Sequence, residues 1–316
     1  MAINLIKREE VETKFLAVEK LNLLYNLFTT LLIIIFFNRL NDPQAMLMGR
    51  FFIAFGTFVV IYLYTKFPSM ATRYLRVVVQ MSLLSYWYPD TFEFNRIFPN
   101  LDHLFATMEY GLFGCQPALL FEQVCSGMFW REAFNMGYWL YYPMITLVST
   151  YYFFCRPKEM ERCTFVILAS FFLYYIVYMF LPVAGPQFYF PVIGEDVAAA
   201  GIYPEIGGYF NLHPEISIPQ EGKGGLFTEL VGMAQAAGER PTAAFPSSHI
   251  GVTTILMMLA YRAKKWLFGA MLPVYVLLCC ATVYIKAHYL VDAIAGLVTG
   301  VAVYYISTWL YKRFWS

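Results

Sequence analysis

Two of the four histidines, His249 and His288, stand 39 positions apart, each inside a short polar cluster that interrupts an apolar run. The first cluster is PSSH (246–249), at the head of FPSSHIGVTT. The second is HYLVD (288–292), in ATVYIKAHYLVDAIAG. Between them the chain runs through one short apolar stretch, turns at YRAKK and returns through a second, so both imidazoles arrive at the same membrane face. On a helix a carboxylate at i+4 lies one turn from the histidine on the same side, which places Asp292 beside His288. Such a pair suits nucleophilic catalysis, the carboxylate holding the ring tautomer and stabilising its charged form. Taken alone, PSSH reads as a plain N-cap through Ser247 or Ser248. With the distant HYLVD it reads as the second half of a site, in which the free amides of a first helical turn meet an anion.

The elements that must hold these residues are membrane helices. The 316 residues are 59% hydrophobic and 14% charged, against about 25% charged in an average soluble domain. No soluble monomer hides that much apolar surface, so lipid is the expected solvent. Windows near 21–38, 46–67, 74–88, 134–154, 162–183, 247–261, 266–286 and 290–311 approach the roughly 20 apolar residues that span a bilayer. The expected fold is an all-α polytopic membrane bundle of about eight transmembrane helices. It forms a single domain over 1–316, with N-terminal helices and an outer interfacial segment in 1–160 and the motif-bearing half in 161–316. The charged start, MAINLIKREEVETK, reads as the flank of an uncleaved signal anchor.

Basic residues set the orientation. With both termini cytoplasmic, the inside segments hold Lys7, Arg8, Lys14, Lys20, Lys66, Arg73, Arg76, Arg156, Lys158, Arg162, Arg262, Lys264, Lys265, Lys312 and Arg313. The segment after the fifth span carries Glu195, Asp196, Glu205, Glu215, Glu221, Glu229 and Glu239, which fits the outer face.

Two outer stretches break the rhythm of span and short loop. In 89–133, Asp102 and Glu109 share one helical face, read as a solvated acidic face on an interfacial helix, with a direct substrate role as the alternative. The Gly- and Pro-rich 184–246 is expected to be partly ordered and to form a lid or wall over a site. Cys115 and Cys125 could pair across an oxidising compartment, although lipid-side or buried thiols are the plainer reading. Cys279 and Cys280 read as small core residues. A formal charge of +1 excludes a broad nucleic-acid surface.

PSSH and HYLVD resemble the second and third motifs of the type 2 phosphatidic acid phosphatase superfamily, usually PSGH and SR-x5-H-x3-D. The resemblance covers about 160–311. It implies a general acid at His249, a phosphorylated nucleophile at His288, its partner at Asp292, and no metal or other cofactor. Ser248 replaces the usual Gly, Thr282 stands where the third motif has Arg, and the lysine- and arginine-bearing first motif is absent. FLPVAGPQFYFP stands in its place, where Gly185, Pro186 and Gln187 are expected to line the site.

A clamp stripped of fixed positive charge suits a singly charged phosphodiester better than a phosphate monoester. The motifs look closest to the fungal inositol phosphorylceramide synthase branch. That branch implies phosphoinositol transfer from phosphatidylinositol to ceramide, or to another lipid acceptor, on the extracytoplasmic face. Lys286 and Arg240 are candidates for the remaining positive charge, with interface snorkelling as the other reading. A lipid phosphatase using water is the alternative, and a transporter or non-catalytic lipid-binding protein is disfavoured because the spans lack the paired Gly/Pro-interrupted helices and mid-membrane charges expected of a transport path. The short tails favour a bacterial inner membrane over a Golgi lumen. The sequence assigns no partner subunit.

Overall fold

The computed structural model describes residues 14–213 and 224–315, and the described part is helical without strands. Lys7, Arg8, Glu215 and Glu221 lie outside the described residues. The chain opens with α1 (Ala17–Ile35) and α2 (Pro43–Lys66). The second starts where the Asp42 side chain accepts from the Ala45 amide and Pro43 occupies the first turn, where its missing N–H is harmless. Next come α3 (Met70–Ser82), capped reciprocally by Ser69 and Thr72, and α4 (Leu84–Asn95). The expected span at 74–88 is therefore two helices meeting at Leu83, and together they run farther than the apolar window.

Beyond them lie α5 (Asp102–Phe113) and α6 (Pro117–Val124). The expected span at 134–154 is likewise divided at Leu140, into α7 (Met128–Trp139) and α8 (Tyr141–Cys155). The central helix is α9 (Pro157–Phe180), apolar on all sides and enclosed by α1, α4, α8 and two of the three C-terminal helices. Within 184–246, the described residues 184–213 and 224–246 are more ordered than their Gly and Pro content suggests. They form α10 (Pro186–Ile193), α11 (Glu195–Ala199), α12 (Tyr209–Leu212) and α13 (Leu226–Gly238). The Glu132 carboxylate accepts from the amides of Gly225, Phe227 and Thr228, which fastens the start of α13 to α7.

Three helices close the chain: α14 (Ser248–Ala263), α15 (Lys265–Tyr284) and α16 (Leu290–Phe314). Among the described residues, α1, α2, α9, α15 and α16 are each long and apolar enough to cross a bilayer unaided. Of the other three expected spans, two are the divided pairs α3–α4 and α7–α8. The third is α14, whose 16 residues are mostly buried within the protein. The protein is an integral membrane helical bundle.

Buried polar contacts fasten its N-terminal half. Arg50 of α2 forms a two-pronged pair with Asp90 of α4, and Arg76 of α3 pairs the same way with Glu19 of α1. Within a membrane such groups persist only when matched. All six cysteines are free thiols.

Both ends of the described chain lie at one end of the bundle. The Ala17 amide donates to Glu161 near the start of α9, and the Trp315 ring packs 4.8 Å from that of Phe165. The PSSH and HYLVD motifs lie at the opposite end of these helices.

Candidate active site

Each motif is built by a helix start. Ser247 caps α14, its Oγ accepting from the Ile250 amide, while its own amide donates to the Asp292 carbonyl at 3.1 Å. PSSH and HYLVD are thus joined through the backbone. The Ser248 amide donates to the Tyr178 hydroxyl, which in turn donates to the Pro246 carbonyl. The amides of Ser247, Ser248 and Ile250, in the turn expected to meet an anion, are engaged within the protein. The turn offers the site the His249 ring and the Ser248 side chain.

The rings of His249 and His288 are 5.8 Å apart, centroid to centroid, at 64°. His249 lies between Tyr138 and Tyr141, with ring centroids 4.6 and 4.7 Å away. Its Nδ1 and both tyrosine hydroxyls are enclosed with no hydrogen-bond partner among the described residues. Polar atoms left this way await a ligand or water, since burying them unpaired is costly.

His288 lies in the turn between α15 and α16 and is almost wholly enclosed. Its amide donates to the Thr282 carbonyl, and its Nδ1 lies 2.7 Å from the Ala244 carbonyl oxygen. Burial holds the imidazole well below its usual range, at about 4, with the Ala244 contact partly opposing the shift. The ring is neutral at pH 7. Because a carbonyl only accepts, the proton sits on Nδ1 and Nε2 keeps its lone pair, the form a nucleophile requires.

Asp292 departs from its expected role. Its Oδ2 is 3.9 Å from His288 Nδ1, beyond hydrogen-bond reach, and accepts from the Tyr289 amide at 2.9 Å as a helix cap. Its Oδ1 has no partner among the described residues. Asp292 remains close enough to favour positive charge on the imidazole, while the Ala244 carbonyl sets the tautomer.

The two carboxylates of α5 overturn the solvated-face reading, for both are fully buried. Asp102 accepts from the amides of Ala184 and Gly185, the Asn100 side chain and the Tyr289 hydroxyl, all at 2.6–3.0 Å. Glu109 accepts from the Val291 amide at 3.0 Å. Burial raises both carboxyls, Glu109 to about 7, against the lowering effect of these donors. One helix face thereby fixes the Ala184–Gly185 segment and the start of α16. Two acids seven apart in an otherwise apolar helix were the available signal.

The substituted first motif packs tightly against this framework. Gly185 has φ +94°, and a Cβ there would stand 2.8 Å from the Ala287 carbonyl oxygen, so only glycine fits. Pro186 begins α10, and the Gln187 amide donates to the Lys286 carbonyl at 2.7 Å. The Gln187 side chain donates to Glu239, whose carboxyl burial pushes up to about 7 despite that bond and one from Tyr88. The nominated cations are engaged elsewhere. Lys286 Nζ lies 2.8 Å from Glu195 and 3.8 Å from Glu122, and Arg240 is exposed with Nη1 on the Glu239 carbonyl.

Fold and site together define a polytopic membrane protein with a two-imidazole centre enclosed at one end of its bundle. A family model described as the PAP2 superfamily matches residues 113–306, more than half of the chain. The chain belongs to that superfamily, and so to the lipid phosphatase and phosphotransferase class of membrane enzymes. Asp102 and Glu109 precede the matched residues. No curated protein and no solved structure matches the chain.

Proposed function

We propose that the protein moves a phospholipid headgroup, phosphoinositol from phosphatidylinositol, onto the hydroxyl of a ceramide-type lipid through a phosphohistidine on His288. The observation that carries this reading is the pairing of two close imidazoles with diverted cations. Lys286 is matched by carboxylates, Arg240 is exposed, and Thr282 stands where the family has an arginine. A diester with one negative charge needs fewer cationic partners than a dianionic monoester.

In the first half-reaction His288 Nε2 attacks phosphorus, the bond to the diacylglycerol oxygen breaks, and His249, charged once the anionic phosphodiester lies beside it, gives that oxygen a proton and is left neutral. In the second, the lipid hydroxyl loses its proton to His249 and attacks phosphorus, breaking the phosphorus–Nε2 bond. Asp292 favours the positive charge that the ring carries while phosphorylated. Gly185, Pro186, Gln187, Ser247 and Ser248 shape the wall around the phosphate. The buried setting and the helices of 184–246 limit entry of water, the competing acceptor. The basic segments assigned to the inner side support cytoplasmic termini and a centre on the extracytoplasmic face.

The test supplies purified protein with labelled ceramide and, in turn, phosphatidylinositol, other phospholipids or phosphatidic acid. Headgroup–ceramide formed from phosphatidylinositol is expected. Phosphate release from phosphatidic acid with no headgroup–ceramide from any donor overturns the transfer reading in favour of hydrolysis.

A further inference from the structure

A cavity of about 650 Å³ lies between α3–α4 and α8, with α9 behind it. One end is formed by Ser248, His249 and Glu239, and the other by Phe153, Met160 and Thr164. Along α8 the lining runs from Tyr141 to Phe153, a rise of about 18 Å, most of the depth of a bilayer's hydrocarbon core. The walls between are largely aliphatic and aromatic. At the rim Val78, Ser82, Tyr142 and Thr146 are exposed, so the cavity opens sideways where lipid surrounds the bundle.

The cavity meets the centre at His249, and His288 is not among its described lining residues. In an in-line displacement the leaving oxygen departs on the side of phosphorus opposite the nucleophile. With His288 as nucleophile and His249 as proton donor, that oxygen sits at His249. Its carbon chain therefore extends away from His288, in the direction of the cavity. By the same geometry the accepting oxygen of the second half-reaction enters from there, while the transferred headgroup stays outside.

Among the described residues lining the mouth, one is acidic. The Glu239 carboxyl accepts from Gln187 Nε2 at 3.4 Å, and Gln187 Oε1 accepts from Gln235 Nε2 at 3.2 Å. The Tyr88 side chain also hydrogen-bonds to Glu239, and the carboxyl lines the same cavity end as His249, beside walls otherwise suited to hydrocarbon. A diacylglycerol has no donor besides the reacting oxygen. A lipid alcohol with an amide N–H or a second hydroxyl one or two carbons away has such a donor.

We propose that this cavity holds the long-chain alcohol in both half-reactions, and that Glu239 at its mouth selects an accepting lipid bearing a second hydrogen-bond donor. The proposal rests on the transfer reading above. It divides the site by chemistry, with hydrocarbon on the His249 side and the transferred polar group on the His288 side.

The test compares the full-length protein with Ile145→Trp, which fills the cavity wall, and with Thr146→Trp, which blocks it from the rim without replacing a buried side chain. Acceptors are long- and short-chain fluorescent ceramides with phosphatidylinositol as donor, and thermal melts confirm folding. Either plug is expected to lower kcat/KM at least tenfold for the long chain and under threefold for the short one. Equal losses for both chains, or no loss in a folded Thr146→Trp protein, overturn the cavity assignment. Glu239→Gln is expected to raise the acceptor KM about tenfold, a loss of roughly 1.4 kcal/mol of binding, and the donor KM less than twofold. Parallel changes in both, or in neither, overturn the role of Glu239. If the wild-type protein only hydrolyses, the transfer reading fails and takes the Glu239 role with it. Long- and short-chain phosphatidic acid then decide the cavity in the same plugged variants.

Discussion

The Ala244 carbonyl oxygen is 2.7 Å from His288 Nδ1, whereas Asp292 Oδ2 is 3.9 Å from the same atom. A backbone carbonyl therefore holds the tautomer, and the carboxylate is left to favour charge. Because no side-chain substitution removes that carbonyl, the two roles separate by mutation. His288→Ala should lower turnover of a fluorescent phospholipid by at least about 10³-fold, since the nucleophile itself is gone. Asp292→Asn keeps an oxygen for the Tyr289 amide and should cost about 10- to 100-fold, below the larger losses seen when a carboxylate also sets the tautomer. An Asp292→Asn protein as inactive as His288→Ala would show that Ala244 alone does not hold the ring.

Glu109 links the site to pH. Its carboxyl has an ordinary value of 4.5 and is raised to about 7 by burial. A carboxyl raised on folding contributes its full stability below the unfolded value and loses it as pH rises through the folded one. The loss between about pH 4.5 and pH 8 is on the order of 3 kcal/mol. Glu109→Gln keeps an acceptor for the Val291 amide and cannot ionise. Its melting temperature should exceed that of the wild type at about pH 8, with the advantage shrinking toward about pH 5. A constant difference between the two proteins across that range would show that the buried carboxyl does not titrate there.

Side chains made some of this legible in advance, and backbone groups hid the rest. Apolar windows locate α1, α2, α9, α15 and α16 because span length follows from bilayer thickness. The spacing of His249, His288 and Asp292 brings them to one end because two antiparallel helices joined by a short turn must return there. Asp102 and Glu109 were visible as a face, but three of their partners are the amides of Ala184, Gly185 and Val291, more than eighty residues away and carried by residues with no polar side chain. The Ala244 carbonyl is hidden in the same way. Lys286 looked available because Glu195 and Glu122 approach it only through tertiary folding. The interruption at Leu83 lies inside an apolar stretch, and composition does not register it.

The Arg50–Asp90 pair offers a test of how the N-terminal helices are held. Both side chains are nearly fully enclosed, and Arg50 also donates to Thr29 and Tyr86. Arg50→Met leaves an uncompensated carboxylate and should cost about 3–5 kcal/mol. Arg50→Met combined with Asp90→Leu removes both charges and should recover most of that loss. Thermal melts in one detergent check the cycle. Additive losses in the double variant would show that the two charges are not coupled.

The contact of α14 with α16 sets the distance between the two imidazoles. A Cβ at Gly296 would lie 2.5 Å from the Ser247 carbonyl oxygen and 3.1 Å from its Cβ. One at Gly300 would lie 2.7 Å from the Gly251 carbonyl oxygen. Small residues permit such close helix contacts in membranes. Here Gly296 also stands one turn after Asp292, whose carbonyl accepts the Ser247 amide. Replacing glycine by alanine within a helix ordinarily gains up to about 1 kcal/mol, but overpacking against a backbone carbonyl costs about 1–3 kcal/mol, so the clash should prevail. Gly296→Ala should lower the melting temperature. It should also cut turnover by about 10- to 100-fold, because displacing a reacting group by about 1 Å is enough for a loss of that size. Gly269→Ala supplies the control, as a Cβ there meets no atom within 4 Å. Equal turnover in Gly296→Ala and Gly269→Ala would show that α14 can shift from α16 without separating His249 from His288.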